Sequence, residues 1–158
     1  MRIDDWNPER SSFLEPACQV GEAVVYSIVM QASANTAPLG LAFIVDDEPM
    51  LLDLNESALR AIGLDVRRFR AAEQALEAYW KAAVPPLLIV TDYAMHKMTG
   101  LELIAACRRT HPDQKFLLIS GTVDDSVFRD SPEKPDRVMA KPYLMEDFTL
   151  AVRSLVGS

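Results

Sequence analysis

Leu41-Ala-Phe-Ile-Val-Asp-Asp-Glu-Pro49 is the stretch on which the fold turns. Five apolar residues follow one another without a polar break, as in a parallel strand buried on both faces. The run stops at two acids, Asp46 and Asp47. Pro49 then takes the favoured first position of a helix. A strand, an acidic turn and a helix open an α/β unit.

The same alternation continues downstream. Leu87-Leu-Ile-Val90, Phe116-Leu-Leu-Ile119 and the shorter Val138-Met-Ala140 read as further buried strands. Leu64-Asp-Val-Arg-Arg-Phe69 carries charges and reads as an edge strand. Between them lie helical stretches. The first runs from Pro49, with Leu51, Leu54, Ala58 and Ile62 on one face, and Gly63 ends it. The second spans about Ala71 to Ala83, with Leu76, Tyr79, Trp80 and Ala83 apolar, and is stopped by Pro85-Pro86. The third opens on Thr99-Gly-Leu-Glu102, a capping box, and closes near Arg108, Arg109 and His111, which suit the helix dipole. The last covers about Glu146 to Val156, with Phe148, Val152 and Leu155 inward. Val123–Arg129 leaves room for a short helix before Ser131-Pro-Glu-Lys-Pro135 breaks it. Strand–helix alternation of this kind predicts a parallel sheet with helices on both faces.

Each apolar run ends at a residue able to do chemistry. Asp46 and Asp47 follow the first, Asp92 the third, Ser120 the fourth and Lys141 the fifth. The carboxyl ends of strands line the ligand crevice of an open α/β sheet, so these five belong at one edge. Three carboxylates crowded there repel one another, and a hard divalent cation, Mg²⁺ above all, relieves the repulsion. Lys141 can pair with an anionic oxygen and the Ser120 hydroxyl can donate to another. Such a set cradles a phosphoryl group in transit. One carboxylate can itself be the nucleophile, giving an aspartyl phosphate. Each piece alone has an ordinary reading: Asp46-Asp47 as a helix cap, Ser120-Gly121 as a turn, Lys141-Pro142 as surface. Their joint placement favours a site.

Four pieces, Phe43-Ile-Val-Asp-Asp-Glu-Pro49, Thr91-Asp-Tyr-Ala-Met-His-Lys-Met-Thr-Gly100, Leu117-Leu-Ile-Ser-Gly121 and Lys141-Pro-Tyr143, occur in order. With them the chain resembles the receiver domain of two-component response regulators over about residues 41–156. That resemblance implies a flavodoxin-like, doubly wound sheet of five parallel strands in order 2-1-3-4-5. It implies that Asp92 accepts a phosphoryl group from a phosphohistidine on a sensor histidine kinase or histidine phosphotransfer protein. It implies Mg²⁺ bound by Asp47 and Asp92, with Asp46 helping and the backbone carbonyl of Ala94 as a further ligand. Ser120 takes the switch position, Lys141 pairs with the phosphoryl group, and the Lys141–Pro142 peptide is a candidate cis bond. Such a module catalyses its own aspartyl phosphorylation and dephosphorylation without being a conventional enzyme. Two positions depart from the family. His96 stands where proline is frequent, and Val138 stands three positions before the lysine, where an aromatic is usual. Both traits resemble receivers associated with hybrid sensor kinases.

Residues 1–39 show no sustained period and read as an N-terminal extension, leaving 40–158 as the receiver domain. After Val156 only Gly157 and Ser158 remain, so a stand-alone module with output through protein contacts is expected. Among 158 residues, 16 Lys and Arg face 23 Asp and Glu, a net charge of −7 that repels phosphate backbones and argues against nucleic-acid binding. No run reaches the roughly 18 apolar residues a membrane span needs. The N-terminus lacks a basic region before an apolar core, so a cytoplasmic protein is expected. Two other readings compete: a receiver fold used only for binding, and an aspartate-nucleophile phosphohydrolase of the haloacid dehalogenase type. The second wants Asp-x-Asp after the first strand, whereas this chain has Asp46-Asp47-Glu48. Cys107 and Trp80 are expected in helix packing, His96 in a solvated loop, and Arg67-Arg68 and Arg108-Arg109 on solvated faces.

Overall fold

The computed structural model describes residues 38–121 and 133–157. The expected extension before Pro38 and the expected short helix at Val123–Arg129 lie outside the described residues. The described elements are β1 (Leu41–Val45), α1 (Pro49–Ala61), β2 (Asp65–Phe69), α2 (Ala72–Lys81), β3 (Leu88–Asp92), α3 (Gly100–Arg108), β4 (Phe116–Ser120), β5 (Arg137–Ala140) and α4 (Met145–Val156). The strands form one sheet in the order β2-β1-β3-β4-β5, with every neighbouring pair parallel. The order and the two-sided architecture match the sequence expectation.

The unbroken apolar runs now have a physical reason. Successive strand residues point to opposite faces, and both faces are covered. Ala42, Ile44, Val90, Leu117 and Ile119 pack with Leu52 and Leu59 of α1 and Phe148 and Val152 of α4. Phe43, Val45, Ile89, Phe116 and Leu118 pack with Leu76 and Tyr79 of α2 and Leu103 and Cys107 of α3. The charged strand β2 is one edge, as expected; β5, expected as a buried strand, is the other edge and is largely exposed. The Arg67 guanidinium lies over the rings of Phe43 and Phe69, 5.3 and 5.5 Å from their centroids, and Arg68 pairs with Asp53 and Glu56 of α1. Gly63, at φ 90°, ends α1 by donating its N–H to the Arg60 carbonyl, a left-handed turn suited to glycine.

Three further expectations need correction. The buried residues of α1 are Leu52, Asn55 and Leu59, while Leu54 is exposed. Ala58 and Ile62 of the expected stripe do pack against the core; the departure is at Leu54, whose place is taken by the adjacent Asn55, a polar residue that an apolar pattern passes over. Trp80 is 60% exposed. Tyr79 takes the buried place, its hydroxyl 2.9 Å from His111 Nδ1, and Trp80, one residue further round, falls outside the buried face. Arg108 is not on a solvated face. Its guanidinium stacks over Phe116, donates to the Lys134 carbonyl at 2.5 Å and pairs with Asp136 at 2.8 Å.

Asp136 is the centre of that clamp. It accepts hydrogen bonds from the Phe116 amide at 2.9 Å and from Lys115 at 3.0 Å, besides Arg108. Burial works against its charge, but these donors outweigh it and hold the carboxyl below its ordinary value. Asp136→Ala should therefore cost about 1–2 kcal/mol in a urea titration at pH 7, the lower end for charged hydrogen bonds because part of the site is wet. A group with a depressed pKa stabilises above its unfolded value and loses that contribution as pH falls. The gap between variant and wild type should shrink below about pH 4.

Candidate functional site

The carboxyl ends of β1, β3, β4 and β5 meet at one edge of the sheet, and the polar residues follow from strand lengths. Asp46 directly follows β1. Its amide still donates to the Phe69 carbonyl of β2 at 3.1 Å, so the side chain emerges at the rim, 3% exposed. Its Oδ1 accepts the Glu48 amide at 2.8 Å, which steers the chain into α1. The bond is a turn contact and not a helix cap: the capping position is Glu48, and no side chain caps the helix.

Asp92 is the last residue of β3 and is 6% exposed. Its Oδ2 accepts the Ala94 amide at 2.8 Å, which orients the carboxylate. Lys141 follows β5. Its backbone amide donates to the Ser120 carbonyl at 2.7 Å, and the Lys141–Pro142 peptide is cis. Its ammonium lies 2.6 Å from Asp92 Oδ1 and 3.2 Å from Asp46 Oδ2. One ammonium thus spans two carboxylates from different strands.

The charges follow from this geometry. Burial pushes the Asp46 carboxyl above its ordinary value; the Glu48 amide and Lys141 offset part of that, and Asp92 adds to it. Burial also opposes the Lys141 charge, but the hydrogen bond to Asp92 and the fields of Asp46 and Asp92 win and raise it. The lysine stays an ammonium while Asp46 resists ionising.

The other expected site residues are placed differently. Ser120 ends β4 at the same edge, beside Ala140 of β5, and is 1% exposed. Ala94 meets Asp92 through its amide. Asp47 is not in the lysine cluster. It is half-exposed and lies 3.2 Å from Nδ1 of the solvated His96. Among the described residues no group of three His, Cys, Asp or Glu side chains forms a ready metal cage. Val138 is exposed on β5.

Sequence reading missed two supports. A Cβ on Gly100 would stand 2.5 Å from the Asp92 carbonyl oxygen and 2.6 Å from Leu118 Cδ1. The start of α3 is packed directly on the end of β3, and the Gly100 amide donates to the Tyr93 carbonyl at 3.0 Å. Thr99 and Glu102 complete the expected capping box there. The second is Asn55, whose Oδ1 accepts the Tyr143 hydroxyl at 3.0 Å. A polar residue three and four positions from leucines on a helix was the available signal.

The response regulator receiver domain family matches residues 42–153. The chain belongs to this family. The receiver is 27% identical over 114 residues to the sensor kinase CckA of Brucella abortus, covering 72% of this chain and 12% of that protein. It is 30% identical over 115 residues to the transcriptional regulatory protein TrcR of Mycobacterium tuberculosis, covering 72% of this chain and 44% of that one. The receiver therefore spans less than half the length of either relative. In fold it resembles a receiver domain protein from Clostridium thermocellum (TM-score 0.67, 19% identity, 74% of this chain and 94% of that one). It also resembles the response regulator TrrA of Thermotoga maritima (TM-score 0.65, 23% identity, 73% and 97%). No described helix of the receiver is long and apolar enough to cross a membrane.

Proposed function

We propose that this receiver takes a phosphoryl group onto Asp92 from a phosphohistidine of a sensor histidine kinase or histidine phosphotransfer protein. The observation that carries the reading is the Lys141 ammonium, held 2.6 Å from Asp92 with Asp46 alongside at the strand ends. In the transfer, an Asp92 carboxylate oxygen forms a bond to phosphorus while the donor's P–N bond breaks. The electron pair of that bond returns to the imidazole nitrogen. Negative charge passes from the Asp92 oxygen toward the phosphoryl oxygens and the leaving nitrogen, and a positively charged group already in place costs no reorganisation. The Ala94 amide restrains the carboxylate, Lys141 balances the charge, and the Ser120 hydroxyl is the further donor to a phosphoryl oxygen.

The donor set fits Mg²⁺. Two buried carboxylates, Asp46 and Asp92, share the single Lys141 ammonium, and the half-exposed Asp47 stands next to Asp46 in the chain. An excess of buried negative charge of this kind favours a small divalent cation. Asp46, Asp47, Asp92 and the Ala94 carbonyl would hold it, and it would neutralise charge on the phosphoryl oxygens. The Thermotoga maritima relative was solved in complex with Mg²⁺-BeF, which supports the same assignment. The output is contact with another protein, and the acidic chain does not bind nucleic acid. Its place is the cytoplasm, with residues 40–158 as the receiver and 1–39 as an extension.

Acetyl phosphate with Mg²⁺ tests the reading by intact mass. The expected result is a gain of one phosphoryl group in the wild type, lost in Asp92→Asn and lost with a chelator. No gain in the wild type, or a gain that survives Asp92→Asn, overturns it.

A further inference from the structure

Asn55 takes no part in the chemistry above, yet it is 2% exposed. It sits on α1 between Leu52 and Leu59, on the stripe that faces the sheet. A carboxamide buried there without a partner is costly, and a leucine would fill the place at no such cost. The Tyr143 hydroxyl supplies the partner at 3.0 Å.

Tyr143 stands two residues beyond Lys141. Its ring stacks on the fully buried Phe148 of α4, with centroids 5.8 Å apart and planes at 27°. The turn carrying Lys141 is thus tied to β4 by the Lys141 amide on the Ser120 carbonyl, at 2.7 Å. It is tied to α4 by ring stacking and to α1 by the tyrosine hydroxyl. The last tie is the directional one. Apolar contacts permit sliding, whereas a buried hydrogen bond fixes distance and angle. Because α1 begins just after Asp46, the bond links the segment that bears Asp46 to the segment that bears Lys141. Burial raises the Tyr143 hydroxyl pKa, so it remains a donor at neutral pH.

We infer that the Asn55–Tyr143 hydrogen bond positions Lys141, holding its ammonium on Asp92 for phosphoryl acceptance, a role that rests on the proposed function of Asp92. Both are positioning residues, since neither touches the reacting atoms.

The test uses the full chain carrying Tyr143→Phe, Asn55→Leu, or both. Three quantities are read: thermal stability, the rate of acetyl phosphate phosphorylation at saturating Mg²⁺, and hydrogen exchange of the Lys141 amide. The single variants leave one polar partner stranded or missing. The double variant replaces the bond by an apolar pair, which restores stability when both partners are removed together. The expected result is a double variant of wild-type stability whose maximal rate stays lower by on the order of tenfold. Its half-saturating acetyl phosphate concentration should be unchanged and its Lys141 amide should exchange faster. A rate that recovers together with stability in the double variant overturns the positioning role and leaves packing alone. So does an unchanged rate in Tyr143→Phe. If the wild type takes no phosphoryl group, the reading of Asp92 fails by itself. The Lys141 amide then decides the positioning, and unchanged exchange in the double variant overturns it.

Discussion

Methionine in place of Lys141 slows phosphoryl acceptance on Asp92 by roughly 10²–10³-fold, the loss that follows removal of one preorganised electrostatic group. The side chain keeps its length and apolar stem but loses the ammonium now 2.6 Å from Asp92 and 3.2 Å from Asp46. That interaction strengthens as charge grows on the transferring group, so the loss falls on the maximal rate more than on donor binding. Initial rates with acetyl phosphate and Mg²⁺ measure it. A wild-type rate in the variant would place the ammonium outside the transfer.

Stability should fall as well, by about 2 kcal/mol without Mg²⁺. This is less than for a fully buried pair, because the lysine side chain is 25% exposed. The pH dependence has a definite sign. The raised pKa of Lys141 makes its contribution complete below about pH 10 and lost only as pH rises through the folded value. Methionine removes it across the acidic and neutral range. Asp46, already raised by burial, then becomes harder still to ionise. A carboxyl raised in the fold binds extra protons there. The variant's urea midpoint should therefore decline as pH climbs from about 4 toward neutrality, more steeply than that of the wild type.

Gly100→Val should cost at least about 3 kcal/mol and lower phosphoryl acceptance with it. Gly100 does not have a positive φ, so nothing in its backbone conformation demands glycine. Helix propensity by itself would favour alanine there by about 1 kcal/mol. The contacts decide the other way. A Cβ would meet the Asp92 carbonyl oxygen at 2.5 Å and Leu118 Cδ1 at 2.6 Å. One is backbone at the end of a central strand, and the other belongs to a fully buried side chain. Neither can yield without moving Asp92 or opening the core beneath α3. Chemical denaturation and the acetyl phosphate rate read the two effects. A variant as stable as the wild type would show that α3 can retreat freely.

Much of this arrangement was legible in local signals. Apolar runs of about five residues mean strands covered on both sides, and the charges of Arg67 and Arg68 marked β2 as an edge. Thr99 and Glu102 announced the start of α3. Acids, hydroxyl and amine at the ends of the runs had to share a rim, because parallel strands all finish on the same side. The resemblance carried by four short pieces then supplied the strand order.

The errors on α1 and α2 concern single residues at the border of a buried face. Trp80 and Tyr79 are neighbours, and Leu54 and Asn55 are neighbours. One residue along a helix is about 100° of rotation, enough to carry a side chain at the border out of the buried face. Hydrophobicity favoured Leu54, but the Tyr143 hydroxyl, 88 residues away, gives Asn55 a reason to be buried. Arg108 reads as a helix-end cation until Asp136 is brought to it from beyond β4.

The sequence by itself determined the kinds of element, their parallel stacking and the rim on which the polar groups gather, since each depends on composition and period within a few residues. Only the tertiary structure decided which carboxylates share the lysine, that Asp47 turns to His96 instead, and why residue 100 has no side chain. Those outcomes depend on distances between segments far apart in the chain, set to tenths of an ångström by how the two cores pack.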